Sequence, residues 1–283
     1  MHIKGYLSNR KKIIDRAILS FVPRGEKYTR TLHDAVNYSL MSGGKRIRPI
    51  LVLAACEAVS GGFKNAIPAA AAIEMIHTYT LIHDDLPAMD DDDLRRGKPT
   101  CHRVFGEDVA ILAGDLLNTL AFQVIAENYK DKAGVIISEL SRSLGINGIV
   151  GGQIADLRSK GKKIGRDELE FISVHKTAFL FIASVRMGAM VGGASGAVMK
   201  KLTGYATNLG LAFQVIDDIF DYTGKERSGY PAVLGTEKSM LEAKKRLDLA
   251  VNELPRGRDC HILKEIALHL TEGMQKHVMK KKK

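Results

Sequence analysis

The sequence predicts an all-α protein, on three observations. Apolar residues recur at helical spacing in about a dozen stretches, while period-2 strand alternation is scarce. The chain is rich in Ala, Leu, Ile, Met, Lys and Glu and holds only seven prolines in 283 residues, a helix-leaning mixture. Breaks fall at short intervals, so segments of roughly 10–25 residues follow one another as in a large helix bundle. The expected breaks are Ser60 to Lys64, Leu94 to Thr100, Gly145 to Gly152, Ser159 to Arg166, Gly192 to Gly196, Thr223 to Pro231 and Pro255 to Arg258. No fixed-period repeat, low-complexity linker or composition shift divides the chain, so residues 1–283 are read as one domain.

Composition narrows the function classes. With 45% hydrophobic and 26% charged residues the chain can bury a sizeable core. No run approaches the roughly 18 uninterrupted apolar residues of a membrane span. The N-terminus turns polar and basic early, which is not a signal-peptide pattern. Three scattered cysteines, Cys56, Cys101 and Cys260, form neither a disulfide framework nor a zinc pattern and suit a reducing cytoplasm. The net charge of +10 raises the question of nucleic acid, but the basic clusters lack aromatic interleaving or any nucleic-acid-binding signature. A small polyanionic substrate fits better.

The chemistry concentrates at two aspartate clusters. From Ala69 an Ala/Ile-rich helix, with Pro68 suited to its first turn, runs to Asp84 and Asp85 and then places six aspartates in ten residues. The helix macrodipole puts negative potential at that same end, so the repulsion persists only if cations compensate it. Carboxylates without a His or Cys ligand set point to Mg²⁺ or Ca²⁺ rather than zinc. Pro87 interrupts the helix, so Asp90 can face Asp84 without regular turn spacing. A solvated acidic loop suffices to explain Asp91 to Asp93. Farther along, Gln214, Asp217, Asp218 and Asp221 stand at i, i+3, i+4 and i+7, on one face of an otherwise apolar helix. An exposed amphipathic face is the plain alternative, weakened by the two uncharged turns that precede it.

Basic residues complete a diphosphate-binding set. Lys45, Arg46 and Arg48 follow the Gly43-Gly44 pair, which allows close backbone approach to phosphate oxygens. Arg95 and Arg96 follow the first acids, and an arginine fork matches phosphate bidentately. Lys176-Thr177 lies among apolar residues, where a lysine needs a partner. His77 stands two turns before Asp84 on the same helix face.

These stretches resemble the trans-isoprenyl diphosphate synthases, in particular the bacterial short-chain, farnesyl diphosphate synthase-like group. The matching segments are Gly43 to Pro49, Ile76 to Thr100, Gly151 to Asp156, His175 to Thr177 and Gly210 to Asp221, in family order, and the likeness spans about residues 30 to 275. The resemblance implies an isoprenoid synthase helical bundle with a central cavity, usually a homodimer, and a reaction joining isopentenyl diphosphate to an allylic diphosphate. It implies three Mg²⁺ ions, with Mn²⁺ able to substitute. Asp84, Asp85 and Asp90 would hold two, and Asp217, Asp218 and Asp221 the third, with Asp217 and Asp221 foremost. It places Arg95, Lys176, Thr177 and Gln214 at the allylic diphosphate, and Lys45, Arg48, His77 and Arg96 at isopentenyl diphosphate. Thr177 and Gln153 would stabilise developing positive charge through their oxygen dipoles. In such enzymes an aromatic residue five positions before the first aspartate goes with a C15 product. Tyr79 stands there, with Thr80 beside it, so farnesyl diphosphate is expected first and geranylgeranyl diphosphate second.

One stretch departs from the pattern. The family normally has Gly-Lys-x-x-Gly-x-Asp and a further lysine between the second acids and a Tyr-Pro-x-x-Leu-Gly helix start. Tyr230 to Gly235 supplies the helix start, but only eight residues separate it from Asp221, and Lys225 is the sole lysine among them. Lys225 is not assigned the missing role. Either the connection is truly short, which would weaken diphosphate closure and turnover, or residues of a solvent-facing flap are missing between Asp221 and Tyr230; the second reading is favoured. Other classes fit less well. A terpene cyclase would replace the second cluster with an Asn/Asp, Ser/Thr, Glu triad, and a non-catalytic partner subunit would have lost acids.

Overall fold

The computed structural model describes residues 2–224, 228–257 and 259–281. They are helical almost throughout; among them only one two-stranded ribbon occurs. The chain groups into two compact units, Met1–Leu53 with Lys64–Ile137, and Ala54–Phe63 with Ser138–Lys283.

The first unit opens with α1 (Ile3–Phe21) and α2 (Arg30–Leu40), followed by the start of α3 (Ile47–Ser60). A 3-10 turn at Lys64–Ala66 leads into α4 (Ile67–Asp84), which carries Pro68 in its first turn, as expected from the missing proline N–H. Residues Ala69 to Ile76 of α4 are all buried, so this helix is apolar on every side and forms the core of the unit. It packs on α1, α2 and α6 (Glu107–Tyr129). Between α4 and α6 lie β1 (Leu94–Arg95), β2 (Lys98–Pro99) and the short α5 (Cys101–Phe105). Gly114 on α6 allows α4 to approach closely, because a Cβ there would lie 2.1 Å from Nε2 of His83. After a second 3-10 turn at Lys130–Lys132 the chain enters α7 (Ala133–Leu144).

The second unit holds the end of α3 and of α7, then α8 (Ile149–Ser159), α9 (Arg166–Ile172), a π-helical turn (Ser173–Ala178), α10 (Phe179–Gly192) and α11 (Gly196–Asp221). It closes with α12 (Tyr230–Leu234), α13 (Thr236–Glu253) and α14 (His261–Lys281). The long α11 is central, with α10 and α13 packed along it and Tyr205 wholly buried against α14 through a 2.7 Å bond to the Leu263 carbonyl. Burial pushes the Tyr205 phenol far up, out of the range in which it titrates in water.

Two sequence expectations change. The break placed at Gly145 to Gly152 covers only residues 145–148, because Gly151 and Gly152 are used inside α8 for close packing rather than for a turn. The stretch from Leu94 to Thr100 is a hairpin, not an irregular loop. By length and hydropathy, two helical stretches, Glu107–Ser159 and Arg166–Gly192, are apolar enough to cross a membrane, although neither is a run free of polar residues. About half of each window is buried inside the protein, and the second holds Lys176 and Arg186 paired with Asp156 and Glu139.

Candidate functional site: acidic and basic side chains gathered in each unit

In the first unit α4 stops at Asp84, and the chain folds back on itself after Pro87. The Asp90 amide donates to the Asp84 carbonyl at 2.8 Å, and the Asp92 amide to the Asp85 carbonyl at 3.2 Å. The return needs Asp91 in the left-handed region, at φ +56, a conformation short Asp tolerates. Asp84 and Asp90, six positions apart in sequence, thus become backbone neighbours, as Pro87 suggested. Asp85 turns inward: its carboxylate is buried and takes Nε and a terminal nitrogen of Arg95, both at 2.6 Å. Burial pushes the Asp85 carboxyl up, and the Arg95 guanidinium pulls it back.

The ribbon after the acids explains how two adjacent arginines serve different ends. Arg96 and Gly97, at φ +54 and +76, form its two-residue turn with both residues left-handed, as tight hairpins require. Arg95 stays on β1 and reaches Asp85. Arg96 swings to the Gly43 carbonyl, and Gly44 leaves room for it, since a Cβ there would lie 2.6 Å from the guanidinium. Arg48, on the first turn of α3, lies 3.3 Å from Nε2 of His77 on α4. Burial first, then Arg48, Arg96, Arg95 and Arg46, hold the imidazole well below its usual pKa. These effects favour the neutral ring, with Nε2 accepting from Arg48. Lys45 is exposed beside this group. Tyr79 meets His83 edge-to-face at 5.6 Å, and His83 reaches the Ile111 carbonyl at 3.1 Å. The Thr80 hydroxyl is bonded to the His77 carbonyl within the helix.

In the second unit α8 and the π-helical turn interlock. A Cβ on Gly152 would fall 2.3 Å from the Lys176 amide nitrogen, so only glycine admits that approach. The widened turn places Lys176 and Thr177 on it, with His175 stacked on Phe171 at 3.9 Å. Lys176 has its partner: Nζ lies 2.5 Å from Asp156 on α8. A chain of hydrogen bonds then runs from the Thr177 hydroxyl to Gln214 Oε1 (2.5 Å), from Gln214 Nε2 to Asp218 (2.6 Å), and from the Tyr230 amide to the other Asp218 oxygen (2.8 Å). Burial pushes Asp218 up, and the amides of Tyr230 and Gln214 oppose it. Both side-chain polar atoms of Gln153 are buried without a hydrogen-bond partner among the described residues, an arrangement native proteins keep only where something else satisfies them.

A cavity of about 160 Å³ takes in Asp156, Gln214, Asp218 and Asp221. Asp217 does not line it. Asp156 received no role from the sequence although its motif was noted; a single acid on a helix gives no signal until Lys176, twenty residues on, is seen to reach it. Gly229, at φ +91, delivers the Tyr230 amide to Asp218. Lys225 lies outside the described residues.

Among the described residues no three His, Cys, Asp or Glu side chains close into a metal cage. The donors are nonetheless of the right chemistry for Mg²⁺, which keeps several waters and is held by one or two carboxylates together with substrate phosphates. Asp84 and Asp90 fit such a role in the first unit, whereas Asp85 is engaged by Arg95. In the second, Asp218 is engaged by two amides.

Comparison with known proteins gives the family and the fold. The family model for polyprenyl synthetase matches residues 29–232. The large subunit 1 of the heterodimeric geranylgeranyl pyrophosphate synthase of Arabidopsis thaliana is 45% identical over 263 residues, covering 85% of this chain and 70% of its own. A geranylgeranyl diphosphate synthase of Cyanophora paradoxa is 44% identical over 268 residues, covering 88% and 89%. The crystal structure of an FPP/GFPP synthase from Zymomonas mobilis superposes with a TM-score of 0.87 at 34% identity, covering 95% of this chain and 98% of that one. The chain has the all-α isoprenoid synthase fold and belongs to the polyprenyl synthetase family of prenyltransferases.

Proposed function

We propose that this prenyltransferase extends an allylic diphosphate with isopentenyl diphosphate to geranylgeranyl diphosphate, with Mg²⁺ bound by the acid clusters of both units. The observation that carries the reading is the gathering of Arg48, Arg95 and Arg96 around neutral His77, on the helix that ends at Asp84. So many guanidiniums in a half-buried group call for an anion, and the acids beside them call for a cation; a magnesium diphosphate supplies both. Bound Mg²⁺ would neutralise the allylic diphosphate as a leaving group. Arg95 and Lys176 hold that diphosphate. Lys45, Arg48 and Arg96 hold isopentenyl diphosphate, with the Nδ1–H of His77 as a neutral donor. Oxygen dipoles of Thr177 and Gln153 would stabilise the developing allylic cation. The isopentenyl double bond attacks that cation to make the new C–C bond, and the proton lost afterwards leaves on the released diphosphate.

The names of the relatives favour the C20 product. A second reading, farnesyl diphosphate, rests on Tyr79, whose ring is fixed against His83 one turn below Asp84. Incubation with Mg²⁺, isopentenyl diphosphate and a C5 or C10 allylic primer, followed by chromatography of the dephosphorylated products, separates the two. A C20 alcohol is expected. A C15 alcohol alone would establish the second reading, and no product longer than its primer would remove both.

A further inference from the structure

Arg46 is the least exposed cation of the Lys45 to Arg48 stretch, and its guanidinium is taken up entirely by protein partners. Its side chain is 1% exposed, with Nε 2.8 Å from Asp15 on α1, one terminal nitrogen 2.5 Å from Glu74 on α4, and the other on the Leu40 carbonyl at the end of α2. Glu74 is nearly as deeply buried, in the middle of an apolar helix. Lys11 adds a second cation: Nζ donates to the Gly44 carbonyl at 2.7 Å and lies 3.8 Å from Asp15. Two positive and two negative groups thus balance. Burial alone would lower the Arg46 pKa, but Glu74 and Asp15 outweigh it and raise it.

Such a cluster is a poor source of stability. Taking ions out of water is costly, and a well-packed apolar replacement is often as stable or more so. Arg46 also sits at φ +54, a left-handed conformation that is strained for a non-glycine residue. What the cluster does achieve is geometric. It pins residues 43–46 to three helices, while Arg96 and Lys11 hold the Gly43 and Gly44 carbonyls. Lys45 and Arg48 flank the pinned residue, one on each side.

We propose that the buried Asp15–Arg46–Glu74 cluster is a positioning device that holds Lys45 and Arg48 in place for the diphosphate of isopentenyl diphosphate. This rests on the reading that Lys45 and Arg48 bind that substrate. The test is steady-state kinetics of Glu74→Gln and Asp15→Asn, varying each substrate separately, with Arg48→Ala alongside. Both cluster variants should raise KM for isopentenyl diphosphate roughly tenfold, with kcat and KM for the allylic primer within about twofold of the parent. Unchanged KM with only a lowered Tm would reduce the cluster to a structural role and overturn the proposal. A fall in kcat at unchanged KM would overturn it too. Should Glu74→Gln fail to fold, Asp15→Asn, at the more exposed end of the cluster, decides the outcome. If Arg48→Ala leaves KM for isopentenyl diphosphate unchanged, the substrate assignment fails instead; if Arg48→Ala raises it and the cluster variants do not, only the positioning role falls.

Discussion

His77 shows how a single residue can mislead when only its type is known. The sequence places His77 among basic residues without its charge state, and burial together with four guanidiniums depresses its pKa well below the ordinary imidazole value. The unfolded chain therefore binds a proton at His77 more readily than the folded one does. That makes the His77 contribution to stability complete above about pH 6.5 and progressively lost as pH falls from there toward the depressed folded value. Thermal unfolding at pH 7.5 and pH 5.5 should show a drop in Tm that is smaller in His77→Gln, whose amide oxygen can accept from Arg48 without titrating. Equal drops in both proteins would mean that the ring is not neutral in the fold. Asp218 carries a comparable lesson. It was grouped with Asp217 and Asp221 on spacing alone, but its two oxygens are engaged by Gln214 and the Tyr230 amide. Asp218→Asn can keep that chain if the Gln214 amide flips, with Thr177 then accepting. Mg²⁺ affinity, measured by calorimetry with a non-reactive diphosphate analogue, should fall less than about threefold in Asp218→Asn and more than tenfold in Asp217→Asn; equal losses would restore Asp218 as a ligand.

At the scale of elements, the helices and both acid clusters were legible because they depend on local periodicity and on charge out of place. Pro68 and Pro87 bounded α4 by missing N–H groups and ring sterics, and Asp217 to Asp221 lie on α11 as their spacing required. What could not be read depends on contacts distant in sequence. The left-handed Arg96, the π-helical turn under Lys176 and the Arg46 cluster each exist because another segment holds them. Gly152 is the sharpest case: as a glycine in a helical pattern it suggested a break, yet it serves the approach of α8 to the turn bearing Lys176. Gly152→Ala places a methyl 2.3 Å from the Lys176 amide, and backbone on both sides leaves no flexible group to yield. A stability loss of about 1–3 kcal/mol is expected from such overpacking. Displacement of Lys176 should also lower kcat/KM for the allylic substrate more than for isopentenyl diphosphate. Parallel losses for both substrates would place the damage in general unfolding rather than at Lys176.

For the whole molecule, two questions remain at a scale no single helix decides. The first is assembly. Ile111 and Leu112 on α6 are 45% and 55% exposed, an adjacent apolar pair of the kind a second subunit would cover. Sedimentation velocity should give a dimer that Leu112→Asp weakens; a monomer at all concentrations would leave room for a different second subunit, as in the heterodimeric relative. The second is whether the two acid clusters serve one reaction. If they do, each is required for the same ionisation step, and their losses cannot multiply. Asp84→Ala and Asp217→Ala should each lower kcat on the order of a thousandfold, the scale of several kcal/mol that a metal contributes to charge stabilisation. The double variant should then be little worse than the more damaged single one, as for residues that act as a unit. Losses that multiply to about a millionfold would instead mark two independent contributions, and the second cluster would need a role outside leaving-group ionisation.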